Sequence, residues 1–355
     1  MDNNKPDTTK NNDLYIADKY FNNASYLKAI SIYEKYLSEG SLNINSLRNL
    51  ARSYLYTSKY EPAVKYFLLA IKKGSKDPDV FKQLAISYSN LLEYKNALIF
   101  FKKSLELNPD DITVNYGLGL SYFNLGEYQN AIDCFRISIK NNDQNFDALY
   151  NMGTSFYKIE QYNEAIKWFE CSLSINPGFA DAYLNIGLSY FKLKDPENAI
   201  ININKSISIN PKNEKAYYTM GVIELENNKI NNAVKSFSQA VKINPGYLDA
   251  YYNLGLSYLK IQNMTMAEKS FSETIKIRPH FSQGYFQLGL INTINEKYDE
   301  AIKNYLASLN LNKNNPKALY NLCILYKMTG NTPSFVKILD YMKKFFPGLA
   351  EEIKE

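Results

Sequence analysis

Histidine and tryptophan are nearly missing from this 355-residue chain, in which His280 and Trp168 each stand alone. A single histidine excludes a histidine-rich metal site, and His280, following Pro279, reads as a solvated loop residue. Cysteine is scarce too. Cys134, Cys171 and Cys323 are an odd number, widely spaced and without a CxxC pair, which argues against a disulfide framework and against a zinc site. No apolar stretch approaches the roughly 20 residues of a membrane span. The leader, residues 1–9, is polar with no apolar run, and is expected to be a disordered tail rather than a signal peptide. Charge of one sign is not in excess: 41 basic against 36 acidic residues, net +5, spread along the chain, does not announce a nucleic-acid partner. GxxxxGK[ST] and a strand-borne GxGxxG are both missing. The expectation is a soluble, cytoplasmic protein with no cofactor, no metal and no membrane partner.

What is present is a period. Pro109, Pro177, Pro211, Pro245, Pro279 and Pro347 fit one 34-residue grid, interrupted by Asp143 and Lys313. Ten residues after the grid points comes a small column, Gly119, Gly153, Gly187, Gly221, Gly255 and Gly289, which Ala17, Ala51, Ala85 and Cys323 extend to both ends. A second small column runs from Ala29 through Ala63, Ala97 and so on to Ala301, breaking at Phe335. Four residues further on lies an apolar column that includes Tyr33, Phe67, Phe101, Phe135, Phe169, Ile203, Phe237, Phe271, Tyr305 and Leu339. Each column has a physical cause. Antiparallel helices approach to roughly 8–10 Å only where small side chains meet, aromatics fill the remaining space, and a proline ends a helix.

The set Tyr251, Leu254, Gly255, Tyr258, Ala267, Phe271 and Pro279 resembles the tetratricopeptide repeat, with its aromatic-x-x-Leu-Gly-x-x-Tyr, Ala-x-x-x-Phe and Pro signature. A second match is Tyr183, Ile186, Gly187, Tyr190, Ala199, Ile203 and Pro211. The resemblance implies an all-α fold, a right-handed α-solenoid superhelix of about ten antiparallel helix pairs. In the frame of the Gly column the array occupies 10–349, as units 10–43, 44–77, 78–111, 112–145, 146–179, 180–213, 214–247, 248–281, 282–315 and 316–349. A C-terminal tail, 350–355, follows. The repeats consume almost the whole chain and leave no room for a catalytic domain, so no enzyme is expected. Gly-x-Ser at Gly119, Gly187 and Gly255 superficially resembles a nucleophile elbow, but it lies within a helix and lacks the second glycine.

The resemblance also implies that first helices line a concave groove that binds peptide segments of partner proteins. Two positions before the Gly column stand Asn49, Gln83, Gly117, Asn151, Asn185, Thr219, Asn253, Gln287 and Asn321, seven of nine of them carboxamides. A carboxamide offers donors and an acceptor and can hold a peptide backbone without reading its side chains. The row resembles the asparagine ladder of O-linked N-acetylglucosamine transferases. Beside it, Tyr116, Tyr150, Tyr218, Tyr252, Phe286 and Tyr320 are candidate aromatic anchors. Arg48, Arg52 and Lys82 form a candidate anion site at the N-terminal end. The Lys, Asn and Arg set with which some relatives grip chaperone tails is not reproduced, since Asp79, Gln83, Thr113 and Gly117 occupy that stretch.

Asn22-Asn23, Asn141-Asn142 and Asn227-Asn228 read as inter-helix turns. Glu224 replaces an aromatic, and the turn after it lacks the glycine of Gly126 and Gly330, so unit seven is expected to be the loosest joint. Asp195-Pro196 and Thr332-Pro333 are predicted helix starts, and the last helix a polar cap. The function expected is a non-enzymatic protein-binding scaffold. The alternatives are an accessory subunit presenting substrates to a separate enzyme, or a nucleic-acid-binding solenoid, which the charge balance disfavours.

Overall fold

The computed structural model describes residues 8–37, 42–140 and 145–353. Most of the expected N-terminal tail and the Asn141-Asn142 pair lie outside them, while Thr8 and Thr9, assigned to that tail, already belong to the first helix. Two bodies make up the chain, Met1–Gly178 and Phe179–Glu355. The described residues contain helices and no strand.

The first body runs α1 (Thr8–Asn22), α2 (Tyr26–Leu37), α3 (Ile44–Tyr56), α4 (Tyr60–Lys72), α5 (Pro78–Asn90), α6 (Tyr94–Leu107), α7 (Thr113–Asn124), α8 (Tyr128–Ile139), α9 (Phe146–Lys158) and α10 (Tyr162–Ile175). The second runs α11 (Ala180–Lys192), α12 (Pro196–Ile209), α13 (Glu214–Glu226), α14 (Ile230–Ile243), α15 (Leu248–Lys260), α16 (Met264–Ile277), α17 (Ser282–Ile294), α18 (Tyr298–Leu311), α19 (Pro316–Met328), α20 (Thr332–Phe345) and α21 (Pro347–Glu351). In each body odd and even helices pair as hairpins, and each hairpin stacks on the next.

The columns become the core. Ala63, Ala97, Ala131, Ala233 and Ala267 are fully buried at the helix crossings, and Phe67, Phe135, Phe237 and Phe271 beside them are equally inaccessible. The glycine is a steric requirement: a Cβ at Gly255 would stand 2.7 Å from the Phe271 ring. Between hairpins, Asn108, Asn176, Asn210 and Asn244 end their helices outside the helical region, with φ between −143° and −123°, each just before a proline, which disfavours helical backbone at the preceding residue.

Two further columns emerge only in three dimensions. Every described turn inside a hairpin puts one residue in the left-handed region, at Ala24, Ser58, Leu92, Gly126, Glu160, Lys194, Asn228, Gln262, Glu296 and Gly330, with φ between 54° and 80°. The following N–H closes the turn, as Glu93 N does on Tyr88 O at 2.9 Å. The turn after Glu224 therefore has the same geometry as its neighbours, with Asn228 at φ 59°, and asparagine tolerates that region well. The loss of glycine there does not by itself loosen the joint. Glu224 in turn accepts a 2.6 Å hydrogen bond from Ser236 Oγ. The second column is serine. Ser53, Ser87, Ser121, Ser155, Ser189 and Ser257 are fully buried, each donating to the carbonyl four residues back. Ser121, Ser189 and Ser257 are the serines of the apparent elbows, and this burial gives them a packing role.

Pro196 opens α12 behind the Asp195 cap, while α20 is capped by Asn331 rather than Thr332. The last hairpin does not end in a bare tail: α21 follows it, and Ala350 and Ile353 are buried against Leu339 and Met342.

Candidate functional site

The first-helix face of each body carries the carboxamide column. Asn49, Gln83, Asn151, Asn185, Asn253, Gln287 and Asn321 are all half-buried there. The structure gives most of them an internal partner. Asn253 Nδ2 donates to the Tyr218 hydroxyl at 3.1 Å, Asn151 Nδ2 to Tyr116 at 3.4 Å, and Gln287 Nε2 to Tyr252 at 3.4 Å. Each link joins one first helix to the next. Asn321 Nδ2 reaches the Tyr305 hydroxyl at 3.2 Å, and Asn49 Nδ2 reaches Asp18 at 2.9 Å.

The tyrosines thus face two ways. Tyr116, Tyr150, Tyr218 and Tyr252 lay their rings against Phe135, Phe169, Phe237 and Phe271 of their own hairpins, with centroids 5.5 to 6.0 Å apart. The hydroxyl of Tyr116, Tyr218 or Tyr252 accepts from the following hairpin. Burial, with a smaller contribution from Asp249, holds the Tyr218 phenol above its ordinary range, so it stays protonated at neutral pH. An arrangement expected to offer donors outward is therefore also a fastener between repeats, a role the spacing of 35 residues between hydroxyl and amide could have signalled.

Arg48, Arg52 and Lys82 do converge, but carboxylates come with them. Arg48 pairs with Asp77. Arg52 Nε donates to Gln83 Oε1 at 2.7 Å, and its terminal nitrogen lies 4.0 Å from Asp79. Lys82 Nζ sits 2.9 Å from both Asp79 and Asp111. Three cations facing three carboxylates make a neutral network that ties α3 and α5 to the start of α7, not an open grip on an anion. Asp79 shares α5 with Lys82, whereas Asp77 and Asp111 lie at the starts of α5 and α7 and carry no signal of their own in the sequence.

Where the column holds Gly117, a pocket of 530 Å3 opens between α5 and α7, floored by α6. The Phe101 ring reaches under this glycine, and a Cβ at Gly117 would stand 2.4 Å from its tip. Ala85 and Phe101 are buried in one cluster here. Among the described residues no group of three or more His, Cys, Asp or Glu is placed to hold a metal ion, and no helix is long and apolar enough to cross a membrane.

Tetratricopeptide repeat models match residues 153–194, 221–262 and 289–330, and further such models match 180–213 and 248–281. The chain is a tetratricopeptide repeat protein. Residues 90–172 of this repeat protein also match the model for subunit 3 of the anaphase-promoting complex, cyclosome. Among solved structures, PilF of Pseudomonas aeruginosa is similar at 18% identity, over 60% of this chain and 98% of that one, with a TM-score of 0.50. MamA of Desulfovibrio magneticus aligns at 20% identity over 48% and 96% of the two chains, with a TM-score of 0.46. YrrB, described as a tetratricopeptide repeat protein with an unusual peptide-binding site, aligns at 22% identity over 52% and 95%, with a TM-score of 0.42. No curated protein matches the sequence.

Proposed function

We propose that this tetratricopeptide repeat protein is a non-enzymatic scaffold, its ten units from 10–43 to 316–349 presenting first-helix faces that bind a segment of a partner protein. The observation that carries this reading is the composition of that face. Half-buried carboxamides and tyrosines recur on successive first helices, and such amphipathic side chains are those enriched where proteins meet. Asn151, Asn253 and Gln287 each spend one N–H on the preceding first helix, which leaves their carbonyl oxygens and second N–H groups to a peptide backbone.

The test is position-specific photocrosslinking in the full chain. A photoreactive residue at Leu256, one turn beyond Asn253 on α15, should capture a defined protein partner. The same residue at exposed Lys235 on α14 should not. Equal capture from both positions, or from neither, would overturn the assignment of the first-helix face.

A further inference from the structure

Gly117 interrupts a column of carboxamides, and the interruption makes space. Asn49, Gln83, Asn151 and their equivalents place a side chain where two first helices meet; Gly117 places none, and the 530 Å3 pocket lies there. That volume is in the roughly 300–1,000 Å3 range of ligand pockets. Its floor and walls are the Phe101 ring, Gly117, Leu120 and Ile86, with Tyr94 and Tyr116 alongside. Ile86 is 36% exposed although apolar.

The two carboxamides of the rim have a direction. Asn90 and Asn124 both line the pocket. Each spends its side-chain nitrogen on its own helix, Asn90 on Ile86 O at 2.9 Å and Asn124 on Leu120 O at 2.8 Å. Their carboxamide oxygens are the ends left to accept. The sole ionic group of the lining, Lys82, is already held between Asp79 and Asp111. An acidic ligand would have to break those pairs, and a basic one would meet the Lys82 ammonium.

We infer that this pocket takes an uncharged aromatic side chain with a hydrogen-bond donor at its tip, a tryptophan or tyrosine of the bound segment. The ring packs on Phe101 and between Ile86 and Leu120, where aromatic neighbours offer edge-to-face contacts. The indole N–H or phenol O–H donates to Asn90 or Asn124, which an aliphatic anchor could not do. The pocket then fixes the register of a segment that the neighbouring carboxamides hold through its backbone. The inference rests on the proposed scaffold function and deepens it.

The experiment uses the full chain with N-acetyl-tryptophanamide as probe, and N-acetyl-leucinamide and N-acetyl-lysinamide as comparators, read by saturation-transfer NMR and titration. The tryptophan probe should bind with a Kd on the order of 1 mM, as for an isolated anchor, and the comparators measurably more weakly. Ile86→Arg, at a position already reached by solvent, should weaken binding by about tenfold or more, since a charge replaces an apolar wall. Replacing both carboxamides, Asn90→Leu together with Asn124→Leu, should weaken it by roughly two- to tenfold, the worth of one neutral hydrogen bond. Gly117→Asn restores the column and should abolish binding; because it crowds Phe101, the two rim variants decide the matter if it fails to fold. Absence of saturable binding, equal affinity for the leucine or lysine probe, or full affinity in Ile86→Arg would overturn the inference. Those results would leave the crosslink from Leu256 intact, whereas loss of that crosslink would sink the scaffold reading whatever the probe does.

Discussion

The hydroxyl of Tyr218 and the amide of Asn253 allow a direct measurement of how one repeat is fastened to the next. Tyr218→Phe keeps the ring, which packs 5.8 Å from Phe237 and 5.0 Å from Tyr247, and removes only the acceptor of the 3.1 Å bond. A neutral intramolecular hydrogen bond contributes about 0.5–1.5 kcal/mol. Asn253 is half-buried, so water can reach the orphaned amide, and the loss should fall at the low end, about 0.5–1 kcal/mol. Asn253→Ala should cost a similar amount plus the packing of the side chain. If the two groups act through each other, the double variant loses less than the sum, with a coupling of about 0.5 kcal/mol or more.

The assay is urea unfolding followed by circular dichroism, fitted with a nearest-neighbour model because repeat arrays need not unfold in one step. The coupling should appear in the interface term between the hairpins α13–α14 and α15–α16 and leave their intrinsic terms alone. Tyr252 and Gln287 provide an internal scale, since their bond is 3.4 Å long and should couple more weakly. Additivity within about 0.3 kcal/mol at Tyr218 and Asn253 would show that each group is equally satisfied by water. The fastener would then be a coincidence of geometry.

The left-handed turn column predicts that Leu92→Gly stabilises the protein. A non-glycine residue there costs roughly 1–2 kcal/mol and glycine's extra freedom in the unfolded chain about 0.5–1 kcal/mol, so the melting temperature should rise; a fall would refute the argument. Conversely, Gly126→Ala should destabilise by about 1 kcal/mol through backbone strain alone, because a Cβ there meets nothing within 4 Å. Lys82→Met should cost about 0.5–1 kcal/mol near neutral pH. Burial raises the Asp111 pKa, but hydrogen bonds from Thr113 and Lys82 outweigh it and hold the carboxyl below its ordinary range. That contribution is complete above the unfolded value of about 3.9 and is lost as pH falls through the folded pKa, so the difference between wild type and variant should shrink in acid; a constant difference would exclude this linkage. Thiol labelling of the native chain should start at Cys171, since Cys134 and Cys323 are buried and burial pushes the Cys134 thiol up to about 11. Equal labelling rates at all three would contradict that packing.

The period carried most of the fold into view because the columns it exposes are set by size. Ala63 and Phe67, or Gly255 and Phe271, are small or large for steric reasons that act between residues of one hairpin, and residue type alone reveals them. Turn geometry was hidden for the opposite reason. Leu92, Glu160, Lys194 and Gln262 adopt the left-handed conformation although they are poor at it, because the hairpin packing around them outweighs a penalty of roughly 1–2 kcal/mol. A glycine signal, sought at that column, appears only at Gly126 and Gly330.

The functional face was half legible for a related reason. Polarity tells which side chains avoid the core, not what they touch. Asn151 and Asn253 lie half-buried on first helices, and their hydrogen-bond partners, Tyr116 and Tyr218, stand 35 residues earlier, one repeat plus one. A pair split across two repeats shows no motif in either. The basic cluster shows a related effect: Arg48 and Asp77, or Lys82 and Asp111, share a unit of the sequence frame, but each aspartate is the last residue of that unit and stands at the start of the following hairpin, far along the chain from the cation it meets. Gly117 shows the converse case. A glycine in a carboxamide column looks like noise until the ring beneath it is seen: Phe101 reaches under Gly117, where a Cβ would stand 2.4 Å from its tip. The exception is therefore a matter of space, and the cavity beside Gly117 gives this joint a chemistry of its own.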